Sequence, residues 1–189
     1  MYGIDMFPSR FYMIGRAIEN RKLMSVLNTI KKDTKNLAGI VNGHHGPTYK
    51  TNYLFSEAHG TLFNPIIEEI NGWLANDNVS FELLGAPWYA EYGEHDHHEA
   101  HIHATSCPHK LGTNNYNYSG IICLSDFGET SFINPNFSSF TEACLRVSSE
   151  FNKVILFPSN IYHFVTPHGL KNKVRAIFSF NCLLKMTTK

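Results

Sequence analysis

The residues of this chain best suited to chemistry are histidines. Six of the eleven stand between residues 95 and 109, five of them in a run that reads Tyr92-Gly93-Glu94-His95-Asp96-His97-His98-Glu99-Ala100-His101-Ile102-His103, the sixth being His109. In an extended strand, residues 97, 99, 101 and 103 point to one face. His101 and His103 then stand ~7 Å apart at the backbone, two steps of ~3.3 Å, so both imidazoles can converge on one metal ion. A further ligand has to come from another strand. His163, the lone histidine of Ile161-Tyr162-His163-Phe164-Val165, is the best placed. Arg175 follows in Val174-Arg175-Ala176-Ile177-Phe178. An arginine in such apolar sequence is costly to bury without an anion, and its forked donors suit a carboxylate. Together these parts would bind a metal beside an organic acid. Taken singly, each has a plainer reading: a solvated loop that binds metals adventitiously, a satisfied core histidine, an exposed strand arginine. Their conjunction favours a site.

Positioning these side chains falls to elements legible in the pattern. A length of 189 residues suggests one domain over 1–189, with a helical front (1–78) and a jelly-roll core (79–185). Apolar residues from Ala17 to Ile30 fall at helical spacing, and Lys31 and Lys32 suit a helix C-terminus. A second helix is expected with Asn64 as N-cap, Pro65 at its first position, and Glu68 and Glu69 near the positive end of the dipole. Its apolar stripe is Ile66, Ile67, Ile70, Trp73 and Leu74. Residues 40–56 read as loop and short strand, broken by Gly43 and Gly46-Pro47. Strands are expected over 79–92, 118–125, 130–133, 153–157, 161–166 and 173–184. Many short strands with Gly, Pro and Asn between them describe a sandwich or jelly roll, and two helices ahead of them would pack on one outer face.

With these pieces in place, the chain resembles the 2-oxoglutarate- and Fe(II)-dependent oxygenases, in their prolyl-hydroxylase-like branch, over roughly residues 85–182. Three stretches carry the resemblance. The first is Gly93 to His101-Ile102-His103. The second is Ser119-Gly120-Ile121-Ile122-Cys123-Leu124-Ser125-Asp126-Phe127-Gly128-Glu129-Thr130-Ser131-Phe132. The third, and most specific, is Leu156-Phe157-Pro158, His163, Pro167, Arg175 and Ser179-Phe180-Asn181. The resemblance implies a mainly β (α+β) fold, a double-stranded β-helix with the metal at the mouth between two sheets. It implies Fe(II) as the metal, 2-oxoglutarate as cosubstrate and ascorbate as a reductant. His163 would be the distal iron ligand, and Arg175, assisted by Ser179, would bind the far carboxylate of 2-oxoglutarate.

One position departs from the family, which usually has a carboxylate where this chain has His103. Two ligand sets therefore stay open: His101, His103 and His163, or His97, Glu99 and His163. Residues 97 and 101 are ~13 Å apart in an extended chain, so the sets do not merge. If His103 is a ligand, Glu99 or Asp96 is its expected orienting partner.

Other classes are disfavoured. Sixteen basic and sixteen acidic residues leave no net charge, against a nucleic-acid footprint. Apolar runs are too short for a membrane span. The opening Met1-Tyr2-Gly3-Ile4-Asp5 lacks the basic and apolar regions of a secretory signal. Cys107, Cys123, Cys144 and Cys182 form no Cys-x-x-Cys pair and read as reduced thiols of a cytoplasmic protein. His44, His45, His59, His109 and His168 have no expected role, and Trp88, Tyr89, Tyr92, Tyr116 and Tyr118 read as wall or core packing. The expected partner is a small-molecule or amino-acid side-chain substrate. Two alternatives remain: a cupin-like three-histidine dioxygenase without 2-oxoglutarate, and a non-enzymatic jelly-roll binding module.

Overall fold

Alternation decides how the strands of this chain are used. In Arg175-Ala176-Ile177-Phe178-Ser179-Phe180-Asn181-Cys182, the even positions are uniformly apolar or small, whereas the odd ones mix one isoleucine with polar groups. A strand of this kind needs hydrophobic cover on one side and something chemically specific on the other. The computed structural model describes residues 2–6, 9–34, 50–54, 57–103, 115–137 and 142–186. It arranges them as β1 (Tyr2–Met6), β2 (Ser9–Ile14), α1 (Asn20–Thr34), β3 (Lys50–Leu54), α2 (Glu57–Leu74), β4 (Val79–Tyr92), β5 (His98–His101), β6 (Asn115–Cys123), β7 (Glu129–Ile133), β8 (Cys144–Ser148), β9 (Val154–Pro158), β10 (His163–Val165) and β11 (Arg175–Met186).

Two antiparallel sheets result. Seven strands run in the order β1-β2-β9-β6-β11-β4-β3, and four in the order β5-β10-β7-β8. One face of the large sheet meets the helices: Phe178, Phe180 and Leu184 of β11, Ile122 of β6 and Tyr89 of β4 pack with Leu23 and Val26 of α1 and with Phe63, Ile66, Ile70 and Leu74 of α2. The other face meets the small sheet: Phe11, Ile121, Ile155, Phe157 and Ile177 pack with Phe132, Val147 and Val165. This is the double-stranded β-helix with helices on one outer side. No helix among the described residues is long and apolar enough to cross a membrane.

Three features differ from the reading of the sequence. The front is not wholly helical: β1 and β2 pair as a hairpin, and β2 joins the large sheet through β9. Phe11, Tyr12, Met13 and Ile14 are all buried, alternately toward the two cores. A continuous apolar run of that kind carries no period to distinguish strand from helix. Second, α2 begins at Glu57, and Pro65 lies inside it rather than at its start. Pro65 has no N–H for the Thr61 carbonyl. Burial of Phe63, Ile66, Ile70 and Leu74 at 0 % exposure supplies the compensating stabilisation. Third, β8 adds an edge strand absent from the reading of the sequence: its five residues offer only Leu145 and Val147 as bulky apolar positions around an exposed Arg146. Cys107, His109 and the first part of the 40–56 segment lie outside the described residues.

Gly120 shows how tightly the helix-side core is fitted. It pairs with Phe180 across β6 and β11, and a Cβ there would lie 2.1 Å from Phe180 Cζ. Gly120→Ala should therefore force the ring out of its packing and cost about 1–3 kcal/mol, seen as a lower denaturation midpoint with an unchanged slope. An unchanged midpoint would show that the ring relaxes freely.

Candidate metal centre

Strand pairing brings the distant histidines together. β10 pairs with β5, placing His163 opposite His101. His103 lies just past the end of β5, its backbone N–H donating to the Ser159 carbonyl at 2.9 Å. One ring nitrogen from each of His101, His103 and His163 lies within 4.8 Å of those of the other two, and the Nε2 atoms of His101 and His103 are 3.1 Å apart.

The hydrogen bonds fix which nitrogen is free. His101 Nδ1 lies 2.8 Å from the Glu99 carbonyl oxygen, and His163 Nδ1 lies 3.1 Å from that of Ile161. His103 Nδ1 lies 2.9 Å from Asn181 Oδ1. Each of these oxygens is an acceptor only, so each Nδ1 carries the proton and each Nε2 presents a lone pair. Lone pairs crowded this closely repel unless a cation sits among them. Burial holds the His103 imidazole down to about 4, reinforced by His101 and partly opposed by the Asn181 bond. Burial, then His101 and His103, push His163 well below its ordinary value. Neutral imidazoles with free lone pairs are what a transition metal binds.

The alternative pair is not part of this group. Simple alternation puts Glu99 on the same face as His101, but the register with β10 shifts: Val165 pairs with His98, not Glu99. This bulge turns Glu99 outward to solvent. His98 takes its place, its ring stacked on His101 at 3.9 Å between centroids. Among the described residues, neither His97 nor Glu99 belongs to the metal-competent group. The expected orienting role of Glu99 or Asp96 toward His103 is also corrected. Asp96 instead caps the turn by accepting from the Gly93 N–H at 2.7 Å, and His103 is held by Asn181 and Ser119.

Arg175 opens β11 and is 1 % exposed. Its Nε donates to Ser149 Oγ at 3.0 Å and its Nη2 to Thr130 Oγ1 at 2.8 Å, while Tyr92 lies under the guanidinium at 5.4 Å. Burial lowers its pKa, yet a guanidinium stays charged. Nη1 is buried without a hydrogen-bond partner. A buried, charged donor left over on a fork whose other members are satisfied is costly and marks a place for an anion. Beside the histidines lies a small cleft of about 20 Å³, whose wall includes Thr130 and Tyr92, the residues that contact the guanidinium. Trp88, Tyr92, His98, Ile121, Thr130 and Ser179 are among the residues that line it, and none of the described lining residues is acidic.

His98, Thr130, Asn181 and Ser119 were missed as site residues. A signal for two of them was present: Ser119 shares parity with Ile121, and Asn181 with Ile177 and Ser179, so each lies on the row that faces the small sheet. His98 carried no such signal, because the bulge that turns it inward is set by β10.

This fold, with its histidines between facing sheets, is that of the 2-oxoglutarate- and Fe(II)-dependent oxygenases in their prolyl-hydroxylase-like form. HygX from Streptomyces hygroscopicus, solved with nickel and 2-oxoglutarate bound, superposes with a TM-score of 0.64 at 12% identity, over 91% of this chain and 81% of that one. The viral collagen prolyl hydroxylase of Paramecium Bursaria Chlorella virus-1, solved with 2-oxoglutarate, gives 0.58 at 13%, over 92% and 94%. A Pseudomonas putida prolyl-4-hydroxylase gives 0.56 at 11%, over 94% and 93%. At these identities the likeness is one of fold. No family model and no curated protein matches the sequence.

Proposed function

We propose that this chain is a non-haem Fe(II)- and 2-oxoglutarate-dependent oxygenase acting on a small molecule or an amino-acid side chain. One observation carries the reading. Three imidazoles converge at a cleft walled in part by Thr130 and Tyr92, and those two residues also hold a buried guanidinium with a spare donor. Both groups fit these residues. His101, His103 and His163 would hold the iron. Arg175 would take a carboxylate of 2-oxoglutarate on Nη1, with Thr130 and Ser179 at the cleft wall as hydroxyl partners.

Charge argues for a dianion. Three neutral imidazoles leave a divalent ion its full charge, and Arg175 adds one more, with no carboxylate in the described lining to offset them. A dicarboxylate removes two of those three charges. When bound, iron and 2-oxoglutarate supply the oxidising power, with O₂ consumed and succinate and CO₂ formed. The protein binds, orients and shields. Ser149 and Thr130 occupy two edges of the guanidinium, so the remaining donor is committed before the acid arrives. Ile121, Val165 and Ile177 keep the walls apolar, which strengthens the contact between that donor and a carboxylate. A cytoplasmic setting goes with the free thiols of Cys123, Cys144 and Cys182.

The donor set without a carboxylate favours a second reading, a cupin-like dioxygenase that uses no 2-oxoglutarate. One experiment separates them. Purified protein given Fe²⁺, ascorbate and 2-oxoglutarate in air should form succinate. The iron-loaded protein should also gain a visible absorption band when 2-oxoglutarate is added without oxygen. Absence of both would overturn the leading reading.

A further inference from the structure

Two of the three metal-competent histidines are steadied locally. His101 and His163 each donate to a backbone carbonyl two residues earlier, a contact that comes with the strand whatever the neighbouring side chains are. His103 is different. Its ring is held by side chains from other strands: Asn181 of β11 at 2.9 Å and Ser119 of β6 at 3.0 Å, with Trp88 of β4 packed on it at 5.3 Å between ring centroids.

The direction of every proton in this cluster can be worked out. Asn181 Oδ1 is an acceptor only and receives the Ser119 hydroxyl at 3.0 Å. Ser119 has then spent its single proton, so Ser159 Oγ, 2.9 Å away, donates to Ser119. Ser119 and Ser159 are 0 % and 1 % exposed, which keeps water from competing for these bonds. His103 Nδ1 thus faces two oxygens with no proton to offer, and it must carry its own. Only Nε2 is then left with a lone pair, and Nε2 is the nitrogen beside His101.

We infer that Asn181 is a positioning residue that selects the metal-binding tautomer of His103 through its Oδ1, and that the Ser119–Ser159 hydroxyl pair locks that arrangement. The inference rests on the metal centre proposed above and adds to it the reason an imidazole can serve at this position. A carboxylate has no tautomer to select and needs no such partner; a histidine does. Asn181 and His103 therefore act as a pair.

The test reads metal affinity, not turnover. Trp88 is one of two tryptophans, so a Trp73→Phe background isolates its emission, which Co²⁺ bound beside His103 should quench. In that background Asn181→Leu should weaken Co²⁺ binding about 10- to 100-fold, the usual cost of losing the partner of a ligating histidine. Asn181→Asp, which keeps an acceptor in place, should restore binding to the parental level or tighter. Ser119→Ala, which leaves Asn181 in position, should give a smaller loss. The cycle is closed in a His103→Asp background, where Asn181→Leu should leave Co²⁺ affinity where it was.

Parental affinity in a cooperatively folded Asn181→Leu protein would overturn the inference. So would an equal loss in both backgrounds, because that would mean general damage to the core. If Asn181→Leu loses its cooperative melt, Asn181→Ala carries the same expectation and the same means of refutation. Failure of the underlying reading looks different: the parent itself, and His101→Ala alongside it, would show no saturable quenching by Co²⁺.

Discussion

Arg175→Met should weaken 2-oxoglutarate binding about 100- to 4000-fold, with metal affinity unchanged. The size follows from the cost of leaving a desolvated charge unpaired, about 3–5 kcal/mol, which here falls on the bound carboxylate. Methionine fills the volume of the arginine stem but offers no donor. The metal-free variant should melt close to the parent, because the substitution removes a buried orphan donor as well as two hydrogen bonds. Gly128 provides an independent route to the same result. Its φ of +80° is unfavourable for an L side chain, and a Cβ there would lie 2.6 Å from Arg175 Cδ. Gly128→Ala should therefore push the guanidinium aside and reproduce the phenotype in milder form. Calorimetric titration of 2-oxoglutarate into Ni²⁺-loaded protein measures both. Unaltered cosubstrate affinity in Arg175→Met would show that the acid binds elsewhere.

The second large effect concerns the metal. His163→Ala should lower metal affinity by more than about 100-fold, beyond the cost of losing an outer partner, and should abolish succinate formation. His163 is 4 % exposed and packs against Phe157 at 4.7 Å and Phe132 at 6.0 Å. His97→Ala and Glu99→Ala form the counter-test for the other ligand set and should leave metal content after dialysis at the parental value. Loss of metal in Glu99→Ala, with retention in His103→Ala, would reverse the assignment between the two sets. A histidine truncated in this core also leaves a cavity, so each variant is compared as metal-free protein by its melting transition.

Much of this arrangement could be read before any coordinates. The β character of the chain after residue 79, a helix over the apolar stripe that ends at Leu74, and the pairing of a histidine tract with His163 and Arg175 all follow from local pattern. Alternation and the price of burying charge act over a few residues, and sequence displays them directly. Pairing does not work that way. Simple parity made Glu99 and His101 equivalent, and only the bulge opposite His163 and Val165 turned Glu99 to solvent and His98 inward. The same holds for Asn181, whose polar side chain gained its meaning when β11 and β6 came into register with Ser119 opposite it. A strand's own residues set which positions alternate; its neighbour's register sets which of those positions meet. That is why the types of group at this site were legible along the chain, while their geometry, their tautomers and the spare donor of Arg175 were decided by packing between strands far apart in sequence.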